Sequence, residues 1–203
     1  MVVIDRSGSM LEPVSFPRID AAKNAASVVV DAESSKSQIG VVSFGGDNNE
    51  PNNDATVNAQ LKAVTDAYRS TAKGAISGIS IPSSGVLTSI GDGLSEAINE
   101  FIVRGTVVGK DVITLLSDGM ENEADFVSTV TPQLINRGIE VHTIALGPWS
   151  DQPLLSELAT DTGGTFSYVD VGTTAPRTPV NGTIPQSAAS LPASLPMLSL
   201  IHI

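Results

Sequence analysis

The sequence predicts an α/β fold, a doubly wound and mostly parallel central sheet with helices on both faces. Two observations carry this expectation. Short β-rich runs alternate with helical patterns over residues 1–171, and such alternation winds strands into a parallel sheet with crossover helices above and below. Three of the strand candidates are near-continuous apolar runs, as suits strands covered on both faces. Sheets of this kind take ligands beyond the carboxyl ends of their strands, where strand order reverses, so function is sought at strand ends.

Val2-Val3-Ile4 reads as a buried strand that closes on Asp5 (residues 2–5). A helix over 18–32 follows, because Ile19, Ala22, Ala26, Val29 and Val30 recur at helical spacing. Residues 38–43 form the next strand. Residues 55–60 alternate weakly, like a short edge strand, and 61–79 are a helix candidate weakened by Gly74 and Gly78. Ile90, Leu94, Ala97, Ile98 and Phe101 mark a helix over 89–103. Strand 111–117 leads to a helix over 126–137, which Pro132 is expected to kink or shorten. That helix closes on Asn136-Arg137-Gly138, a basic last turn with a glycine cap. Strand 140–145, a helix capped by Ser150 or Asp151 with Pro153 in its first turn, and strand 165–169 complete the order.

The chain of 203 residues is long enough for one domain with a real core. With only 4% aromatic residues, that core rests on Val, Ile, Leu and Ala. Acidic residues outnumber basic ones by 22 to 11 and no Lys/Arg cluster occurs, which argues against nucleic acid as a partner. The absence of cysteine excludes disulfides, thiolate zinc sites and cysteine nucleophiles. No apolar run reaches the roughly 18 residues of a membrane span. The chain opens in mid-strand, so we expect a truncated N-terminus and a fragment of a longer protein. Residues 172–197 have the Pro/Ser/Thr-rich composition of a linker or tail, with a chance-level glycosylation triplet at Asn181-Gly182-Thr183. Residues 198–203 match one reading frame of a sequencing-library adapter and are expected to be a scar, so His202 carries no functional weight.

Three segments carry the chemistry. Asp5-Arg6-Ser7-Gly8-Ser9 follows the first strand and sets three oxygen-bearing side chains on one tight loop. Leu87-Thr88-Ser89 precedes the helix over 89–103, and Ser117-Asp118-Gly119 ends a buried strand in a carboxylate. All fall at one edge of the expected sheet. Asp5, Ser7, Ser9, Thr88 and Asp118 together offer two carboxylates and three hydroxyls with no His or Cys. Hard oxygen donors of this kind suit Mg²⁺, Mn²⁺ or Ca²⁺ rather than zinc. Because hydroxyls are weak neutral ligands, an ion with an open position stays electrophilic toward a carboxylate from a partner. Singly, such serines and aspartates are ordinary turn formers and caps; their ordered spacing favours a site.

These segments resemble a known family. Asp5-Arg6-Ser7-Gly8-Ser9 is similar to the D-x-S-x-S element of von Willebrand factor type A domains, Thr88 to the threonine of their second loop, and Asp118 to the aspartate of their third. The resemblance covers roughly residues 1–171 and includes the stretches 39–44 and 142–147. It implies a Rossmann-like sheet and a metal-ion-dependent adhesion site (MIDAS) at those five residues, some acting through water. Thr162-Gly163-Gly164-Thr165-Phe166 is similar to the subgroup of calcium-activated chloride channel regulators and their bacterial relatives. Two departures stand out: the first strand is short, and Ser83-Ser84-Gly85-Val86-Leu87 replaces a glycine pair common before the threonine.

The resemblance implies a non-enzymatic, metal-dependent adhesion module whose partner is a protein offering a carboxylate; the Pro/Thr/Ser-rich stretch and the acidic, cysteine-free composition lean toward a bacterial surface or secreted protein. One rival is an intracellular assembly module of an ATP-dependent complex. Another is a haloacid dehalogenase-like phosphatase, but Ser7 stands where that chemistry needs a second aspartate, and no suitably placed Lys completes the site. Other residues have plainer readings. Asp92 suits the first turn of its helix. Glu121, Glu123 and Asp125 read as a solvated helix start, His142 as a packed or half-exposed strand residue, and Trp149 as a contact residue or a lid over the core.

Overall fold

Val2, Val3 and Ile4 expose no surface at all, as an all-apolar run demands of the strand at the centre of a sheet. The computed structural model describes residues 1–13, 17–47, 53–83, 87–106 and 109–171. Strand β1 (Val2–Asp5) lies between β2 (Gln38–Phe44) and β4 (Val112–Ser117), parallel to both. Beyond β2 lies β3 (Ala55–Ala63), antiparallel to it; beyond β4 lie β5 (Glu140–Leu146) and β6 (Phe166–Val169), both parallel. The order β3-β2-β1-β4-β5-β6 reverses between β1 and β4, and the crevice at such a switch point is where ligands enter.

Helices cover both faces. On one, α1 (Arg18–Ala32) and α2 (Asp66–Gly78) set Ala22, Ala26, Val30 and Ile76 against Val2 and Ile4. On the other, α3 (Ile90–Arg104), α4 (Val127–Arg137) and α5 (Gln152–Asp161) set Leu94, Leu134 and Leu155 in one cluster with Val3 and Leu115. Helix α3 approaches the sheet so closely that a β-carbon at Gly93 would stand 2.6 Å from Phe44 and 3.0 Å from Val3. That contact fixes the start of α3, and with it Thr88, over the end of β1.

Several expectations are corrected. The edge strand is not short: β3 runs through residue 63, with Leu61 buried and Lys62 exposed, so helix 61–79 begins only at Asp66, where Thr65 accepts a hydrogen bond from the Tyr68 amide. Pro132 lies inside α4, which continues past it to Arg137 with Val130 and Leu134 buried in the core. Asp151, not Ser150, caps α5 by accepting from the Leu154 amide; the Ser150 hydroxyl donates to the Gly147 carbonyl instead. Gly138 caps α4 in the left-handed conformation, at φ 66°. The linker at 172–197, the Asn181 triplet, the segment 198–203 and residues 84–86 of the serine-rich turn lie outside the described residues.

Candidate metal centre

Asp5 is the last residue of β1 and is fully buried. Its Oδ1 accepts from the Ser7 amide at 2.7 Å and its Oδ2 from the Ser117 hydroxyl at 2.6 Å, so the neighbouring strand end holds it as firmly as its own loop does. After Ser7 the chain enters a short 3-10 turn (Gly8–Leu11), which sets the Ser7 and Ser9 hydroxyls 3.1 Å apart. The Ser9 hydroxyl donates to Asp118 Oδ1 at 2.8 Å, joining the first loop to the third. Thr88 is held by the loop after β4: its amide donates to Asn122 Oδ1 at 2.8 Å, and its carbonyl accepts from the amides of Asn122 and Glu123. A β-carbon at Gly119 would stand 3.0 Å from Thr88 Oγ1 and 3.4 Å from Ser9 Oγ, so the second loop closes on the same spot. The structure thus brings Asp5, Ser7, Ser9, Thr88 and Asp118 together.

Two carboxylates buried side by side are costly. Burial pushes the Asp5 carboxyl up to about 6, aided by the charge of Asp118 and opposed by the hydrogen bonds from Ser117 and Ser7. Burial likewise raises Asp118, against the pull of the Ser9 hydroxyl and the Arg18 guanidinium. Arg18 was not legible as a site residue. It opens α1, is 7% exposed, and donates through Nη1 to Asp118 Oδ2 at 2.7 Å and to the Ser9 carbonyl at 3.1 Å. Ser117 and Asn122 were missed as well. A hydroxyl just before the aspartate and an amide four residues after it were the available signals. The donor set fits a hard divalent cation: Asp5, Ser7, Ser9, Thr88 and Asp118 all offer oxygen, and two raised carboxylates gain by its charge.

The plainer readings need adjustment too. Asp92, in the first turn of α3, is buried and accepts from the Asp54 amide at 3.0 Å, a loop-holding role. Glu121 is half-buried and Glu123 buried, so neither is a fully solvated helix start. Glu121 accepts from the amides of Gly91 and Val127, one near the start of α3 and one at the start of α4, because helix N-termini leave donors to be met. Burial carries its carboxyl to about 7. Glu123 is 5% exposed, and its carboxylate lies within 4.8 Å of those of Asp47 and Asp54. Asp125 is exposed, as expected. His142 is half-buried, with Nδ1 at 2.9 Å from the Thr165 hydroxyl. Trp149 is 76% exposed, so it is no lid. It borders a cavity of about 410 Å³ that Ser9 and Arg18 also line. Gly163 and Gly164 have a structural reason: φ at Gly163 is 76°, and a β-carbon at Gly164 would meet the Val141 carbonyl at 2.0 Å.

Residues 1–176 match the family model described as von Willebrand factor type A domain. Among solved structures, the chain is similar to a von Willebrand factor type A protein from Catenulispora acidiphila (22% identity, TM-score 0.67, covering 83% of this chain and 37% of that one). It is also similar to proximal thread matrix protein 1 from the mussel byssus, solved with a zinc-occupied MIDAS motif (25% identity, TM-score 0.67, 83% and 40%). A third likeness, to the ArnB paralog VWA2 from Sulfolobus acidocaldarius, is one of fold alone (19% identity, TM-score 0.58, 83% and 40%). The chain thus spans about two fifths of the length of these proteins. No match is found among curated proteins.

Proposed function

This chain belongs to the von Willebrand factor type A domain family, and we propose that it is a non-catalytic, metal-ion-dependent protein-binding module. In this reading Asp5, Ser7, Ser9, Thr88 and Asp118 hold one divalent cation, Mg²⁺ or in its place Mn²⁺ or Ca²⁺. The observation that carries it is the hydrogen bond from the Ser9 hydroxyl to Asp118 Oδ1, which joins two loops 109 residues apart around two buried carboxylates. The bound ion supplies an electrophilic position for a carboxylate from the partner. The chain's own residues do the rest. Ser117 and the Ser7 amide fix both oxygens of Asp5, Asn122 fixes the backbone of Thr88, and burial keeps water from competing with the acidic donors. The zinc-occupied motif of the mussel protein supports a metal at the matching place and makes zinc a necessary competitor in any test.

Large apolar side chains stand exposed on the loops at this end of the sheet: Leu11, Met120 and Trp149. They suit a protein partner, whose apolar groups would cover them while its acidic group meets the ion. Among the described residues no helix is long and apolar enough to cross a membrane. The acidic composition and the Pro/Thr/Ser-rich stretch support a cell-surface or extracellular place in a bacterial protein. The subgroup of chloride channel regulators stays part of the proposal, on Thr162-Gly163-Gly164-Thr165-Phe166.

Calorimetric titration of Mg²⁺, Mn²⁺, Ca²⁺ and Zn²⁺ into chelator-treated protein tests this reading, with Asp118→Ala as control. Saturable binding of one ion per chain, lost in the variant, is the expected result. A folded protein that takes up none of the four ions would overturn it.

A further inference from the structure

We propose that Arg18 is a built-in counter-cation of this centre: its pair with Asp118 weakens the hold on a divalent ion and leaves the loaded centre positively charged. The inference rests on the metal reading above and goes beyond it by naming what sets the affinity. Three observations carry it. First, the Arg18 side chain is 8% exposed and that of Asp118 fully buried, so the pair interacts where water screens little. Second, the two oxygens of Asp118 are divided: Oδ1 takes the Ser9 hydroxyl and Oδ2 takes Arg18 Nη1, so the guanidinium holds one of the oxygens that a cation would draw on. Third, the guanidinium is seated against Gly147. A β-carbon there would stand 2.8 Å from Arg18 Nε, and φ at Gly147 is 83°, so this position is kept free for the arginine.

The charges then decide the behaviour. Asp5 and Asp118 bring two negative charges and Arg18 one positive, so a divalent ion leaves the loaded centre with a net charge of plus one. Without Arg18 the same ion would leave it neutral. A buried cation beside the ion repels it and competes for Asp118, which lowers affinity. The remaining positive charge draws an anionic group, such as the carboxylate that the reading above assigns to the partner.

The test is calorimetric titration of Mg²⁺ and Mn²⁺ into the chelator-treated full chain, comparing wild type, Arg18→Gln and Arg18→Lys. We expect Arg18→Gln to bind about tenfold more tightly than wild type, and Arg18→Lys, which keeps the charge, to stay near wild type. A residue that serves only the fold would not raise affinity when removed. Ion binding in wild type with equal or weaker binding in Arg18→Gln overturns the proposal and leaves the metal reading intact. Binding in Arg18→Gln alone supports both, and binding in neither removes both. If Arg18→Gln is unfolded in chelator, circular dichroism on adding Mn²⁺ decides. A midpoint of recovery below the wild-type Kd supports the proposal, and a midpoint above it, or no recovery, overturns it.

Discussion

Two acidic groups stand at the same end of the sheet and are built differently. Asp5 and Asp118 sit at the ends of β1 and β4, with hydroxyls from Ser7, Ser9 and Ser117 and a guanidinium from Arg18 turned toward them. Asp47, Asp54 and Glu123 are drawn from the connections around β2, β3 and β4, with Asp47 exposed, and hold three carboxylates within 4.8 Å. Proximity of acids is common to both. The acids of the first group end two adjacent parallel strands and share their space with the hydroxyls of Ser7, Ser9 and Ser117. A cation gains most where donors are already in place, since little ordering remains to be done on binding.

The contrast can be broken by removing one acid from the first group. Asp118→Ala is expected to abolish ion binding and to lower stability by about 3 kcal/mol, because it strands the buried Arg18. Titration and denaturant unfolding read the two losses separately. Retained binding would mean that the first group is not the cation site.

Asp5→Asn should part function from stability. Its carboxyl stands at about 6 in the fold against an ordinary 3.8, so the folded state favours the protonated form. A raised value contributes stability in full below about pH 4, and that contribution is lost as pH rises through about 6. At pH 7.5 in chelator the variant is therefore expected to be more stable than wild type, on the order of 2 kcal/mol, while binding no ion. Thermal melts across pH 4 to 8 check the sign: wild type should lose stability over that window, and the variant should lose less.

Smaller effects sharpen the comparison. Gly119→Ala places a methyl group 3.0 Å from Thr88 Oγ1 and should weaken ion binding several-fold, about 1 kcal/mol, with the fold retained. Asp47→Asn, in the second group, should leave the affinity of the first within about twofold at ordinary salt, where exposed charges are screened. A large loss in that variant would show that the two groups act as one.

Much of the architecture was legible because it depends on near neighbours in the chain. Apolar runs marked β1 and β4, helical spacing marked α1 and α3, and glycine chemistry marked the end of α4. The start of α2 was misread, since Leu61 fits either period and only pairing with β2 settles it as strand. For the same reason Glu121 and Glu123 read as solvated residues: the Gly91 amide that donates to Glu121 and the Thr88 carbonyl that accepts from the Glu123 amide come from the distant segment before and at the start of α3.

The sequence by itself determined the order of elements and the three oxygen-bearing segments, for these follow from periodicity and turn chemistry within a few residues. Only the tertiary structure decided how the segments are held: Ser117 against Asp5 across 112 residues, Asn122 on Thr88 across 34, and Arg18 on Asp118 across 100. No local pattern encodes such pairs. They arise because parallel pairing of β1 with β4 puts two strand ends side by side, and because the packing of α1 and α3 on opposite faces delivers Arg18 and Thr88 to that same edge.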